Sequence, residues 1–170
     1  MTKQLACFPP VIDADVEILM LGSFPGEASL AKAQYYGHPR NQFWKLMGAV
    51  LNLPLQEMEY DERLRALLSR KIGLWDVVAG CEREGSLDTA IRNARHNDFA
   101  ATLRSARHLR HVCFNGKFSG RLEPWFAARG YETIVLPSSS PANAIRFDVK
   151  LKAWRAILKT TKSGVVPAGV

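Results

Sequence analysis

Apolar positions along the chain fall into short continuous runs that alternate with stripes at helical spacing. Val16–Leu21, His111–Phe114 and Thr133–Leu136 are too short for stable helices, and the first is almost continuously apolar, the pattern of a strand buried on both faces of a parallel sheet. Ile72–Val78 (IGLWDVV) is a further short buried segment, suited to an extended conformation. Between these runs, Asn41–Leu51 brings Phe43, Trp44, Met47, Val50 and Leu51 to one side of a helix. Asp61–Leu68 does the same for Leu64, Leu67 and Leu68, behind an Asp61/Glu62 first turn that suits the helix dipole. A helix from Asn115-Gly116 through Arg129 carries Phe118, Leu122, Trp125 and Phe126, and a last helix over 148–159 turns Leu151, Trp154 and Leu158 inward. Asp98 caps a helix through Arg107, and Ser86 caps another over Leu87–Asn93. Ala28–Gln34 forms a short helix inside the long loop 22–40. Residues 1–15 form an irregular arm that packs Leu5 and Phe8, Ala79–Gly85 a polar loop, and Gly164–Val170 a flexible tail. Strands alternating with helices give an α/β class, and 170 residues with 47% hydrophobic composition give one domain over 1–160.

Charge is unevenly placed. The formal net charge is +7, yet residues 1–60 hold four Lys/Arg against six Asp/Glu, so the remainder of the chain carries +9. Such polarity suits one basic face meeting a polyanion. Arg83–Arg110 is the most basic internal zone, with six arginines and two histidines against three acids. Cys7, Cys81 and Cys113 are far apart and form no CxxC pair, which argues against a disulfide scaffold, an iron–sulfur cluster and a closed zinc site. No apolar run reaches membrane-spanning length and no signal-peptide pattern opens the chain, so a cytoplasmic, nucleoid-associated protein without a membrane partner is expected.

Three of the strands end in polar loops: Gly22–Gly26, Asn115-Gly116 and Pro137–Asn143. Parallel strands bring such ends to one edge of the sheet, where ligands of open α/β folds bind. The inventory there lacks a nucleophile elbow, an HExxH pair, a P-loop lysine and a GxGxxG turn. It is rich instead in carboxamides, hydroxyls, tyrosines and backbone N–H groups, which suit a neutral heterocycle on a polyanionic strand.

The motifs resemble those of the uracil-DNA glycosylase superfamily, most closely its hypoxanthine-DNA (deoxyinosine) glycosylase branch. GSFPGEAS (Gly22–Ser29), YYGHPRNQFW (Tyr35–Trp44), GLWDV (Gly73–Val77), GSLD (Gly85–Asp88), FNGK (Phe114–Lys117) and LPSSSPAN (Leu136–Asn143) carry the resemblance in the right order. It implies a three-layer α/β/α sandwich around a central four-stranded parallel sheet, with Ile72–Val78 as the fourth strand. The implied activity is metal- and cofactor-free hydrolysis of the N-glycosidic bond of a flipped deaminated base, hypoxanthine with uracil or xanthine as further substrates. Damaged DNA is the implied partner of a monomeric enzyme. A noncatalytic damaged-DNA-binding module and a free-nucleoside hydrolase are the alternatives. Many relatives hold a catalytic Asn or Asp in the first turn where this chain has Phe24, and a His or Asn where it has Ser138.

The resemblance therefore places catalysis on Asn41, whose other reading is the cap of the helix that follows it. An amide is no strong base, so its work is to orient water and stabilise the transition state; if an ionic water-positioner suffices, aspartate there outperforms alanine. Tyr36 resembles the aromatic that stacks on the extruded base, and if the π-face does this work phenylalanine serves as well. Asn115 either contacts the base edge or satisfies a strand end. Backbone N–H groups of Ser23, Phe24 and Gly26 face charge developing on the leaving base. Ser138, Ser139 and Ser140 meet phosphate or sugar, and Pro141, Ala142 and Asn143 resemble the wedge that fills the duplex, or else a capped turn. Ser29, Lys117, Arg121 and Arg146 are phosphate contacts, and His38 organises its loop rather than a metal.

Overall fold

The computed structural model describes residues 3–159. In chain order its elements are β1 (Gln4–Ala6), β2 (Ile18–Gly22), α1 (Glu27–Lys32), α2 (Phe43–Leu51), α3 (Tyr60–Ser69), β3 (Ile72–Asp76), β4 (Val78–Glu82), β5 (Arg92–His96), α4 (Phe99–Thr102), β6 (His111–Asn115), α5 (Lys117–Gly120), α6 (Glu123–Ala127), β7 (Glu132–Leu136), α7 (Phe147–Trp154) and α8 (Ala156–Lys159). Four strands pair in the order β3-β2-β6-β7, all parallel. Alternation along β2 divides the core between the two faces of this sheet. Ile18 and Met20 join Phe43, Trp44, Met47 and Trp154 on one side, whereas Leu19 and Leu21 join Trp75, Phe99, Phe114 and Phe126 on the other. The result is the expected helix–sheet–helix layering, with Ile72–Asp76 as the fourth strand.

A second, antiparallel sheet of order β1-β4-β5 was not expected. Part of the irregular arm is β1, and the polar loop over Ala79–Gly85 is in large part β4. The helix expected over Leu87–Asn93 is one 3-10 turn, Asp88–Ala90, followed by β5. Every residue of β5 (RNARH) is exposed. A strand with no buried side has no hydrophobic period to detect, and pairing with β4 is what makes it extended. The helix over 117–129 is two short helices, with Pro124 at the start of α6, where its missing N–H removes no helical bond. The Asp98 cap holds, through Oδ1 accepting from Ala101 N, but α4 passes into a 3-10 turn that ends at Ser105. The last helix divides at Arg155, which rotates the face beyond it: Ile157 is buried, whereas Leu158, expected inward, is 39% exposed. Leu5 and Phe8 pack on the domain as expected. The tail 164–170 lies outside the described residues. Among those described, no helix is long and apolar enough to cross a membrane.

Candidate active site

The C-terminal ends of β2, β3, β6 and β7 open on one cleft of about 350 Å³. Its walls include Gly22–Gly26, Tyr36, Asn41, Asp76, Ser86–Thr89, Asn115 and Ser138–Asn143, so chain segments over a hundred residues apart meet there. The first turn comes close because position 22 is glycine. A Cβ on Gly22 would lie 2.5 Å from Asp76 Oδ1 and 2.8 Å from Tyr36 Oη, both impossible contacts. At the central strand end, Gly116 adopts φ +98°, which turns the chain sharply from β6 into α5.

Asn115, Ser139 and Asn41 form a hydrogen-bond chain whose direction is fixed. Asn115 Oδ1 accepts from Ser139 N at 2.9 Å, so the other end of this carboxamide is its NH2 group, and Nδ2 donates to Ser139 Oγ at 2.9 Å. Ser139 Oγ donates in turn to Asn41 Oδ1 at 2.9 Å, and Asn41 Oδ1 also accepts from Phe43 N at 2.9 Å. Both lone-pair directions of Asn41 Oδ1 are thereby taken. No hydrogen bond among the described residues uses Asn41 Nδ2, so what Asn41 presents to the cleft is a pair of N–H donors. Oδ1 thus holds the start of α2, and Nδ2 is the end of the side chain left for the cleft. Ser139 N, O and Oγ are all engaged, with its carbonyl accepting from Gln42 N, and the residue is 1% exposed. Its expected phosphate contact is therefore corrected: Ser139 joins the last loop to the one that carries Asn41.

The other expected residues separate by position. Ser23, Phe24 and Gly26 line the cleft, and no hydrogen bond among the described residues uses their N–H groups. Phe24 buries its ring beneath the Arg83 guanidinium, 5.2 Å from the ring centroid. Ser29, on the cleft wall, is buried and its Oγ accepts from Gly37 N, which ties the loop shut. Tyr36, at φ 55°, stacks one face on Phe43 with centroids 3.9 Å apart, which leaves only its other face for a ligand. His38 Nδ1 accepts from Arg40 N, a loop-organising contact as expected. Ser138, Ser140, Pro141, Ala142 and Asn143 form the opposite lip. Lys117, Arg121 and Arg146 are exposed and outside the cleft wall, with Arg121 over the Phe118 ring and Arg146 paired to Asp148. Among the described residues, no group of three or more His, Cys, Asp or Glu is arranged to hold a metal ion.

Several residues of the site carried no expected role. Lys150 is 1% exposed, and its Nζ donates to Gln42 Oε1 at 2.9 Å and to the carbonyls of Asn143 and Ser140 at 3.0 and 3.5 Å. With Trp154 Nε1 donating to Pro137 O, α7 grips the last loop at both ends. Across the cleft, the segment after β4 grips the first turn. Arg83 Nη2 donates to Pro25 O at 2.6 Å and Nε to Gly85 O at 2.8 Å, Ser23 Oγ donates to Asp88 Oδ1 at 2.6 Å, and Glu27 N donates to Ser86 Oγ at 2.9 Å. Arg83 is thus a buried tie rather than a member of a steering zone. GSLD and GLWDV were visible as motifs, but the carboxylates in them, Asp88 and Asp76, reach the site only through β3–β4 and the turn before β5. Burial raises the pKa of both; repulsion from Asp88 adds to it at Asp76, which is pushed up to about 7, whereas the Ser23 hydrogen bond and the Arg83 and Arg121 charges oppose it at Asp88.

Arg83→Met keeps the packing over Phe24 but removes both carbonyl contacts. With charged hydrogen bonds worth about 1.5–3 kcal/mol each, thermal unfolding should shift downward and base release should fall with it. A variant of wild-type stability and rate would show that the first turn holds its shape without Arg83.

Comparison with known proteins agrees with this arrangement. Residues 9–159 match the family model described as the uracil DNA glycosylase superfamily. A hypoxanthine DNA glycosylase of Methanosarcina barkeri is 48% identical over 152 residues, covering 89% of this chain and 96% of the relative. One of Methanosarcina acetivorans is 44% identical over the same coverage. The solution NMR structure of a candidate uracil DNA glycosylase from Methanosarcina acetivorans superposes with a TM-score of 0.84 at 43% identity, over 92% of this chain and 98% of that one. With its motifs, sheet order and cleft matched over nearly its whole length, the chain belongs to the uracil DNA glycosylase superfamily, within its hypoxanthine-DNA glycosylase branch.

Proposed function

We propose that the protein is a monofunctional DNA glycosylase that removes hypoxanthine, and secondarily uracil or xanthine, from DNA by hydrolysis of the N-glycosidic bond. The observation that carries this reading is the Asn115–Ser139–Asn41 chain, which aims two N–H donors into a cleft of base size. It stands in a chain closely similar to two hypoxanthine DNA glycosylases. Asn41 donates to the departing base or to the attacking water, and the N–H groups of Ser23, Phe24 and Gly26 receive charge on the base. Among the described residues no lysine lines the cleft, which supports a reading in which water rather than an amine is the nucleophile. Ser138, Ser140 and Pro141–Asn143 are the lip that enters the duplex, and Lys117, Arg121 and Arg146 meet phosphate around it. The enzyme works as a monomer on DNA in the cytoplasm, at the nucleoid.

The test is alkaline strand cleavage after incubation with single- and double-stranded oligonucleotides bearing hypoxanthine, uracil or xanthine. Cleavage at hypoxanthine is expected. Binding without cleavage of any substrate would support the noncatalytic module, and hydrolysis of free deoxyinosine in preference to the oligonucleotides would support the nucleoside hydrolase.

Affinity for undamaged duplex should fall steeply with salt, because phosphate contacts release condensed counterions. Neutralising Lys117, Arg121 and Arg146 together should flatten that slope more than neutralising Arg92, Arg95, Arg104, Arg107 and Arg110, a group assigned to steering, which screening over roughly 8 Å at physiological salt weakens. A larger effect from the second group would move the DNA face to the β4–β5 side of the molecule.

A further inference from the structure

Two polar atoms at the base of the cleft have no partner. Asp76 is 3% exposed, and its Oδ2 is buried without a hydrogen bond; Tyr36 Oη is likewise buried without one. Both side chains line the cleft. Asp76 Oδ1 and Tyr36 Oη converge on the same point above Gly22, within 2.5 and 2.8 Å of where a Cβ would stand, so the carboxyl group and the phenol are neighbours. Asn115 holds Ser139 through both ends of its carboxamide, and its Nδ2 also faces Tyr36 Oη, which leaves the tyrosine O–H free to donate. Buried polar atoms are almost always satisfied, and such a pair next to a ligand cleft points to a partner that arrives with the ligand.

Deamination replaces an amino group of a base with a carbonyl, changing a donor into an acceptor: adenine becomes hypoxanthine and cytosine becomes uracil. A floor of donors separates hypoxanthine from adenine and uracil from cytosine by that change; guanine and thymine carry a carbonyl at the same place and have to be excluded by other contacts. We propose that Asp76, as a neutral carboxylic acid, and Tyr36 form a pair of O–H donors that bind the carbonyl oxygen of the extruded deaminated base. This rests on the glycosylase reading and names the groups that select its substrate. Adenine and cytosine offer an amino group there, which leaves both donors unpaired.

The same pair acts in the chemical step. The C1′–N9 bond breaks with its electron pair on the purine, where the charge spreads to the carbonyl oxygen and meets the two donors. Water adds its oxygen to C1′, and the proton it loses balances the one taken up by the departing base. An ionised Asp76 would repel that charge, so the group has to be protonated to help. Its surroundings keep the proton on: burial is the main cause, Asp88 adds repulsion, and Arg83 opposes them, giving a pKa of about 7. Cys7, Tyr35, Tyr36 and Tyr60 also face it, with pKa values raised above their ordinary ones. Below that value Asp76 donates; above it, donation is lost. Burial raises the Asp88 pKa as well, so Asp88 needs its own control.

The experiment is single-turnover release from duplex containing deoxyinosine, between pH 5.5 and 9, for wild type, Asp76→Asn, Asp76→Ala, Asp88→Asn and Tyr36→Phe. A parallel measurement is equilibrium binding to duplexes containing 2′-fluoro-2′-deoxyinosine or 2′-fluoro-2′-deoxyadenosine, which resist cleavage. Wild-type release should fall about tenfold per pH unit above the transition. Asp76→Asn, which keeps an N–H donor, should hold most of the low-pH rate and lose this limb, whereas Asp76→Ala should lose on the order of 10²-fold at pH 6. Tyr36→Phe should lower release and weaken the preference for inosine over adenosine, in contrast to the tolerance expected from stacking alone. Persistence of the limb in Asp76→Asn, its removal by Asp88→Asn instead, or an unchanged inosine preference in Asp76→Ala and Tyr36→Phe would overturn the proposal. Wild type that prefers inosine yet releases no base at any pH would overturn the glycosylase reading while supporting the donor floor.

Discussion

Asn41→Ala is expected to lower single-turnover release of hypoxanthine on the order of 10²–10³-fold, the size of effect seen when one preorganised donor to a developing charge is removed. DNA affinity should change little, because Nδ2 meets the reacting atoms rather than the phosphates. The structure also decides the comparison with aspartate. Asn41 Oδ1 is already saturated by Ser139 Oγ and Phe43 N, so its contribution to the cleft is donation. A carboxylate keeps those two contacts and loses both donors, so Asn41→Asp should be no better than alanine. This reverses the expectation for an ionic water-positioner. Activity in Asn41→Asp well above that of Asn41→Ala would restore it. Equal losses of binding and release in Asn41→Ala would instead return Asn41 to the role of a helix cap.

Lys150→Met should produce the largest loss of stability away from the hydrophobic core. The buried ammonium donates to Gln42 Oε1 and to the Asn143 and Ser140 carbonyls, and the methionine stem would fill its volume while leaving those oxygens without their donor. Burial lowers the Lys150 pKa, so desolvation of the charge offsets part of what its three contacts contribute. A net cost of about 2–4 kcal/mol is expected from the charged hydrogen bonds, or a fall in Tm of roughly 5–15 °C for a chain of this size. The loop Pro137–Asn143 should loosen, and duplex affinity should drop together with Tm. A variant that melts normally but binds duplex weakly would show that Lys150 shapes the lip without supporting the fold. Normal melting and normal binding together would show that α7 holds the loop through Trp154 alone.

The central sheet was legible in the sequence because parallel strands covered on both faces are mainly apolar, as β2 and the middle of β6 are. Helices α2 and α3 were legible for a related reason, since each buries one stripe. The ends of the parallel strands were polar and therefore stood out as a site, and Asn41, Tyr36, Asn115 and Ser138–Asn143 all line the cleft. Motif order was enough to name the family.

The small sheet was decided only by tertiary structure. Its outer strand β5 is exposed at every residue, so nothing in its composition distinguishes it from a loop until β4 lies beside it. The roles of buried polar residues were equally hidden. Ser29 and Ser139 look like phosphate contacts in sequence, and only packing shows their hydroxyls turned inward to Gly37, Asn41 and Asn115. Arg83 and Lys150 look like surface charge and are buried ties. A polar side chain carries the same donors and acceptors wherever it stands; its neighbours and its access to water decide whether those atoms hold the protein together or meet a substrate. For Asp76 they also decide whether the carboxyl group keeps its proton at neutral pH, since that depends on the burial and nearby charge that folding imposes.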